Sequence, residues 1–409
     1  MISLHIMKAN NISENFMKIH TLKDGESLAN VAYEYGVSED SIRINNELES
    51  AEPVVGDELL ILIPTRTYTL KRGDTPERLS LRFGVRPSEL ISMNPGLAES
   101  GFVPGRTVAL KYDTRKYGMA ASNGYFYRGC DETHLKRTMP YLTYVTFAAG
   151  ASDGEEIKHL FDPSRELELI RSADKIPLLR IYDRKADRNY LDKEKCALFI
   201  DNMIDAAAGG GYKGIVLAAS GATGEGFAEF LIELRKRMIG CDLILITEID
   251  ESTPTELSDY ADGNIFSYSK YVLDTPPSFE KGERLIFSDF ACDAESAKVF
   301  IDLPALAKGA DGFCSINEAL STARRAGAQI KRDEETLLCS FEHRRHGKFT
   351  YTSLENIKAT LELLNEFGFM GISFDIMRTP LSHLLMYNAL FKTATQTSVR
   401  AREGCSRES

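Results

Sequence analysis

The 409-residue sequence contains no tryptophan, although it has 17 Tyr and 21 Phe. A site that depends on an indole floor is therefore excluded. Cysteine is sparse. Cys130, Cys196, Cys241, Cys292, Cys314, Cys339 and Cys405 make an odd set with no C-x-x-C pair, which excludes a dense disulfide framework and reads as reduced thiols. No apolar run approaches the roughly 20 residues needed to cross a bilayer. The net charge is −11 and no dense Lys/Arg stripe occurs, so nucleic acid is excluded as the main partner, because phosphate binding needs a basic surface. The start, MISLHIMKANNISENF, lacks the continuous apolar core of a secretory signal, which places synthesis in the cytoplasm. What remains is an ordinary globular balance, 43% hydrophobic and 27% charged, in a length that suits two or three domains.

The first feature present is an internal repeat. Lys18–Asn46 aligns with Thr67–Asn94: Gly25 with Gly73, Gly36 with Gly84 and Asn46 with Asn94 at one constant offset. Gly56 then pairs with Gly105 after a one-residue insertion. Each copy reads as strand, turn, two short helices and closing strand, with Ser27 and Thr75 as helix caps and Gly36 and Gly84 as helix stops. The pattern resembles the LysM module, carried by TYTLKRGDTP, RFGV and NPGL in the second copy and by IHTLKDGESL, EYGV and NN in the first. The resemblance implies binding of N-acetylglucosamine polymers such as peptidoglycan or chitin. The implied groove uses Gly25, Glu26, Ser27 and Leu28, then Gly73, Asp74, Thr75 and Pro76, with Asn94, Pro95, Gly96 and Leu97 as the other rim. The first copy departs from the pattern, with Glu26 for Asp and Asn46-Glu47 for Asn-Pro. Gly-acid-Ser/Thr turns also serve simply to build such a fold.

From Asn123 onward, short apolar runs alternate with helical periodicity, which predicts an α/β (β/α)₈ TIM barrel. The strand candidates are 123–127, 142–149, 176–183, 214–220, 243–250, 263–269, 284–290 and 371–377. A small α+β lobe is expected within about 293–353, since that stretch is too long for one crossover. The implied organisation is a tail at 1–16, LysM modules at 17–64 and 65–114, the barrel at 115–395 and a C-terminal tail at 396–409, with Met17 as an alternative start. NGYFY, PYLTYVTFAAG, GGYKGIVLA and RTPLSHLL, in this order, resemble glycoside hydrolase family 18, in particular the spore-type peptidoglycan N-acetylglucosaminidases that carry tandem LysM modules.

The catalytic signature departs from that family. Its fourth strand carries Asp-Gly-x-Asn/Asp-x-Asp-x-Glu, with the Glu as acid and the preceding Asp orienting the substrate's own acetamide. The matching positions here are Lys213, Val216, Ala218 and Ser220, and none is a carboxylic acid. A positioned general acid contributes about 10²–10⁴-fold in rate. The sixth-strand Met-x-Tyr-Asp becomes Phe266-Ser267-Tyr268-Ser269, and the eighth-strand Trp falls at Asp375. Fallback catalytic candidates are Glu248 and Asp375, and Tyr125, Tyr268, Asp289 and Arg378 are expected to line a barrel groove. These acids could equally pair with Lys213, Arg180 and Arg378. With Lys213 filling the vacated acidic pocket, a salt bridge to Glu248 or Asp375 is expected. His343 and His346 have metal-like spacing on an expected helix but no accompanying ligand cluster, so no metal or cofactor is assigned. KYVLDTPPSFEKGE reads as a surface loop.

The reading is a non-catalytic peptidoglycan-binding protein with a degenerate barrel, a pseudoenzyme associated with the cell wall or spore envelope. One alternative is an active N-acetylglucosaminidase with a relocated acid. The other is a structural spore-coat protein whose barrel docks protein partners.

Overall fold

The computed structural model describes residues 16–48, 52–97, 101–113, 116–152, 156–183, 190–218, 226–249, 259–267, 269–274, 276–284, 286–288 and 296–395. Ser220, Tyr268 and Asp289 of the candidate set, and the tails apart from Phe16, lie outside these residues.

Each repeat folds as the sequence dictates. In the first, strand Met17–Thr21 pairs antiparallel with Glu58–Leu62, enclosing helices Leu28–Tyr35 and Glu39–Asn45. In the second, Arg66–Thr69 pairs with Thr107–Lys111 around helices Pro76–Phe83 and Pro87–Met93. Ser27 and Thr75 accept the backbone N–H three residues on, and Gly36 and Gly84 end their helices at φ 65° and 71°, a conformation that side chains resist. An asparagine pins the two ends of each module together. The Asn46 amide exchanges hydrogen bonds with both backbone groups of Leu60, and Asn94 does the same with Ala109.

The remaining chain closes an eight-stranded parallel barrel. Its strands are Gly118–Phe126, Tyr144–Ser152, Ile176–Asp183, Gly214–Ala218, Ile244–Ile249, Gly263–Phe266, Val299–Asp302 and Gly371–Asp375, with the first hydrogen-bonded to the last. Alternate residues point inward. Ala121, Tyr144, Leu178, Val216, Ile246 and Phe300 fill the interior, while the outward residues pack under the surrounding helices.

The seventh strand is not where the sequence pattern put it. Residues 284 and 286–288 are helical, and Val299–Asp302 takes the barrel position. Periodicity cannot separate a four-residue apolar strand from one turn of buried helix. Here Phe287 packs edge-on against Phe369 at 6.1 Å, and the backbone ladder goes to VFID instead. The supposed surface loop before it also folds inward: Val272, Leu273, Phe279 and Glu283 are all buried. The inserted lobe follows the seventh strand as a five-stranded antiparallel sheet (306–352) with helix Ile316–Ala326 against it. His343 and His346 sit at the turn of a hairpin in this lobe, not on a helix. The His343 Nδ1 accepts the N–H groups of Arg345 and His346, so the pair shapes a turn.

The first module is built into this body. Phe16, Met17, Leu60 and Leu62 belong to the same apolar core as the barrel, so Phe16, assigned to the tail from sequence, is part of the folded unit. Asp57 pairs with Arg324 of the lobe at 2.7 Å, with side chains 1% and 5% exposed. Glu58 accepts from Arg332 and from the Leu354 N–H, and Glu47 accepts from Arg137, Asn317 and the Leu381 N–H. Gly56 lies so close to the lobe that a Cβ would meet the Ile330 carbonyl oxygen at 1.9 Å. Removing one member of a buried pair strands the other charge, which costs about 3–5 kcal/mol, whereas replacing both with apolar groups is often neutral. Asp57→Ala should therefore cost roughly that much. The double change Asp57→Leu with Arg324→Met should cost far less, both measured by urea denaturation of the full chain.

Candidate functional site at the barrel mouth

The C-terminal ends of the barrel strands form the mouth, where side chains from several strands converge. The fourth strand turns Val216 and Ala218 inward, both buried. Its neighbours supply the charge. Strand three carries Arg180, opposite Val216 in register, and strand five carries Glu248, two residues beyond Ile246, which is also opposite Val216. The guanidinium donates to both carboxylate oxygens, Nε to Oε1 at 2.5 Å and Nη2 to Oε2 at 2.7 Å. This bidentate pair spans the inward face of the fourth strand at the level of Val216 and Ala218. The Tyr125 hydroxyl from strand one donates to the same Oε1 at 2.7 Å, and its ring stacks on Tyr127 at 5.9 Å. Tyr182 lies beneath the Arg180 guanidinium, 5.6 Å from ring centroid to Cζ.

The electrostatics follow from burial and this pair. Burial pulls the Arg180 value down, but the charge and hydrogen bonds of Glu248 more than reverse it, so the guanidinium is held above its ordinary value. Burial, and then the nearby Glu248 charge, push the Tyr125 hydroxyl well up; burial raises Tyr127 to about 12. Both phenols therefore stay protonated, and that of Tyr125 donates to Glu248. Asp375 stands at the end of strand eight. Burial raises its carboxyl, opposed by the Met377 and Arg378 N–H groups that it accepts at 2.9 and 3.0 Å. It is a turn-forming acid, with the Arg378 guanidinium 3.8 Å away and exposed.

Of the candidate mouth residues, Tyr125 and Glu248 meet directly, and Asp375 and Arg378 form a second pair. The expected Lys213 salt bridge does not form. Lys213 is exposed at the start of the fourth strand, the end away from the mouth, and Glu248 is taken by Arg180. Among the described residues no cluster of three or more His, Cys, Asp or Glu could hold a metal ion.

In the repeats, the candidate glycan residues divide by role. Glu26 and Asp74 each accept the N–H three residues earlier, closing equivalent turns with Gly25 and Gly73 at φ 76° and 87°. Leu28 and Leu97 are core residues, 3% and 5% exposed. Pro76 opens the second copy's first helix. Pro95 and Gly96 are buried, and a Cβ on Gly96 would meet Ile44 of the first module at 3.0 Å. The rim of the second module therefore faces the second helix of the first. In the first module the equivalent loop is used up in docking, because Glu47 stands where the second copy has Pro95.

Comparison with known proteins agrees with this architecture. Residues 20–62 and 68–111 are LysM domains. The putative sporulation-specific glycosylase YdhD of Bacillus subtilis is 23% identical over 274 residues, covering 63% of this chain and 64% of that protein. The chain thus spans 64% of the length of this curated relative. Among solved structures, the Bacillus cereus spore cortex-lytic enzyme SleL superposes with a TM-score of 0.71 at 16% identity, covering 93% of this chain and all of that one. A chitinase from Chromobacterium violaceum superposes with a TM-score of 0.57 at 15% identity over 67% of this chain and 99% of its own. At these identities the likeness is one of fold: a LysM pair ahead of a chitinase-like barrel.

One buried acid away from the mouth escaped the sequence reading. Glu283 is 1% exposed, accepts from the Asn356 amide at 2.9 Å through one oxygen and has no partner among the described residues for the other. Burial pushes its carboxyl up to about 7. A folded value above the unfolded one means the folded chain holds a proton that the unfolded chain releases, so stability should fall as pH rises from about 4.5 to 7. Glu283→Gln should leave stability near pH 4.5 unchanged and raise it at pH 8 by about 3 kcal/mol. Denaturation of both proteins across pH measures this.

Proposed function

We propose that this chain binds N-acetylglucosamine-containing glycan, in particular peptidoglycan, without cleaving it, in a spore envelope or cell wall. The observation that carries the reading is the bidentate Arg180–Glu248 pair lying across Val216 and Ala218, two of the four strand positions where a family 18 glycosidase keeps its carboxylates. Retaining hydrolysis of that kind needs a carboxylic acid that donates a proton to the leaving oxygen and a carboxylate that orients the acetamide. Both Glu248 oxygens accept hydrogen bonds from Arg180 and one accepts from Tyr125, so this carboxylate serves as an acceptor. Asp375 is likewise spent on two backbone N–H groups. Neither is placed as a free proton donor. The LysM pair supports the glycan half of the reading, and the sporulation-related names of similar proteins support its setting.

The alternative of a rebuilt glycosidase rests on Glu248 lying within hydrogen-bond reach of a buried phenol, a pairing that could serve acid–base chemistry. One experiment separates the two. Full-length protein is incubated at length with purified spore-cortex and vegetative peptidoglycan, and both pellet and supernatant are scored. Recovery in the pellet with no soluble muropeptides by mass spectrometry is the expected outcome. Muropeptides that appear with the wild type and vanish with Glu248→Gln or Asp375→Asn would establish the glycosidase.

A further inference from the structure

The two LysM modules enclose a cleft of about 280 Å³. One wall is the second helix of the first module and the turn before it, and the other is the 94–97 loop and closing strand of the second module. The Gly73–Pro76 turn takes no part in it, so this cleft differs from the groove expected within a single module. Its floor is apolar, from Ile44, Leu62, Pro64 and Pro95, and its polar lining includes Asp40, Ser41, Asn45, Arg106 and Thr107, of which only Asp40 and Arg106 are charged. One acid and one guanidinium balance, which disfavours a phosphate or a cation as occupant. An apolar floor with a ring of donors and acceptors suits a neutral sugar, whose C–H face is apolar and whose edge carries hydroxyl and acetamide groups.

Asn45 distinguishes this cleft from an ordinary seam between packed modules. Its side chain is 7% exposed and lines the cleft, and its amide makes no hydrogen bond to another described residue. Its neighbour Asn46, by contrast, is fully engaged with Ile42 and Leu60. The amide atoms are not sealed from solvent, so their donor and acceptor are open to an occupant of the cleft, and a primary amide can donate to and accept from an acetamide together. The cleft is also held in place. Glu47, Asp57 and Glu58 fix the first module to the barrel and lobe, while the Tyr141 hydroxyl donates to the Ser92 carbonyl of the second.

We infer that the cleft between the modules is a saccharide site that takes one N-acetylated pyranose of a longer chain, with Asn45 as its acetamide partner. This rests on the glycan-binding reading above and assigns it a place. The volume lies just under the roughly 300–1,000 Å³ of small-molecule pockets, which fits one ring and not several.

The test titrates full-length protein with the N-acetylglucosamine trimer by calorimetry, with the glucose trimer as control, and pellets the same proteins with peptidoglycan. The N-acetylated trimer should bind and the glucose trimer should not. Asn45→Leu should weaken binding at least tenfold at an unchanged melting temperature, and Asp40→Ala, at an exposed position that cannot unfold the module, should weaken it several-fold. Trimer binding that both variants leave unchanged would overturn the cleft site while the glycan reading stands. Pelleting without trimer binding would also overturn the site and spare the reading. Failure of both would overturn the two together.

Discussion

The Asp57–Arg324 pair is the contact on which the placement of everything else depends. It is nearly inaccessible to water, and it joins the first repeat to a lobe that the sequence reaches only 267 residues later. Glu58 and Glu47 extend the same logic to Arg332 and Arg137, so three carboxylates of one small module meet guanidinium groups of the barrel and lobe. Such pairs add little net stability compared with apolar contacts of the same shape, but they punish any other docking geometry, because a displaced module would leave buried charges alone. The 60-to-62 strand segment then contributes Leu60 and Leu62 to the barrel's own core. A module held in this way is part of the body rather than a tethered hand. The second module inherits its position by packing Gly96 on Ile44 and Ser92 on Tyr141. Truncating the modules to test the barrel alone would therefore expose core, and point substitutions are the cleaner probe.

The mouth of the barrel obeys a related constraint. A guanidinium placed in a partly buried barrel needs a carboxylate, and Glu248 supplies one with matching two-point geometry. The fourth strand between them presents Val216 and Ala218 on its inward face, and neither carries a charge. The Tyr125 phenol donates to the pair's carboxylate, and the Tyr127 ring stacks on Tyr125.

Much of this was legible in the sequence, for identifiable reasons. The repeats were readable because caps and stops act locally: Ser27, Thr75, Gly36 and Gly84 do the same work in any surroundings. Seven of the eight barrel strands were readable because their apolar runs are bounded by turns. The seventh was not, because RLIFSDF and VFID carry the same apolar signal and only tertiary pairing with the sixth and eighth strands chooses between them. The partner of Glu248 was also hidden. Arg180 and Lys213 are both cations near the right strands, and only the register shows that one lies beside the mouth and the other at the far end. Asn45 gave no signal at all, since its significance is its place in the cleft, which exists only once the two modules are set side by side.

The differences between the two copies carry the most information. Where the repeats agree, at the asparagine pins and the glycine stops, they encode the module. Where they differ, they encode what each copy touches. Gly56, Asp57 and Glu58 correspond to Gly105, Arg106 and Thr107, and Glu47 corresponds to Pro95. In the first copy these positions press against the lobe and barrel: the glycine admits the Ile330 backbone, and the three acids take its arginines and amides. In the second copy Gly105 has open space around it, and Arg106, Thr107 and Pro95 face the cleft instead. The same surface of the module thus has two uses, docking in the first copy and cleft formation in the second. The departure at Glu47 is then the chemistry of an interface, whereas Glu26 does the same turn-closing work as Asp74.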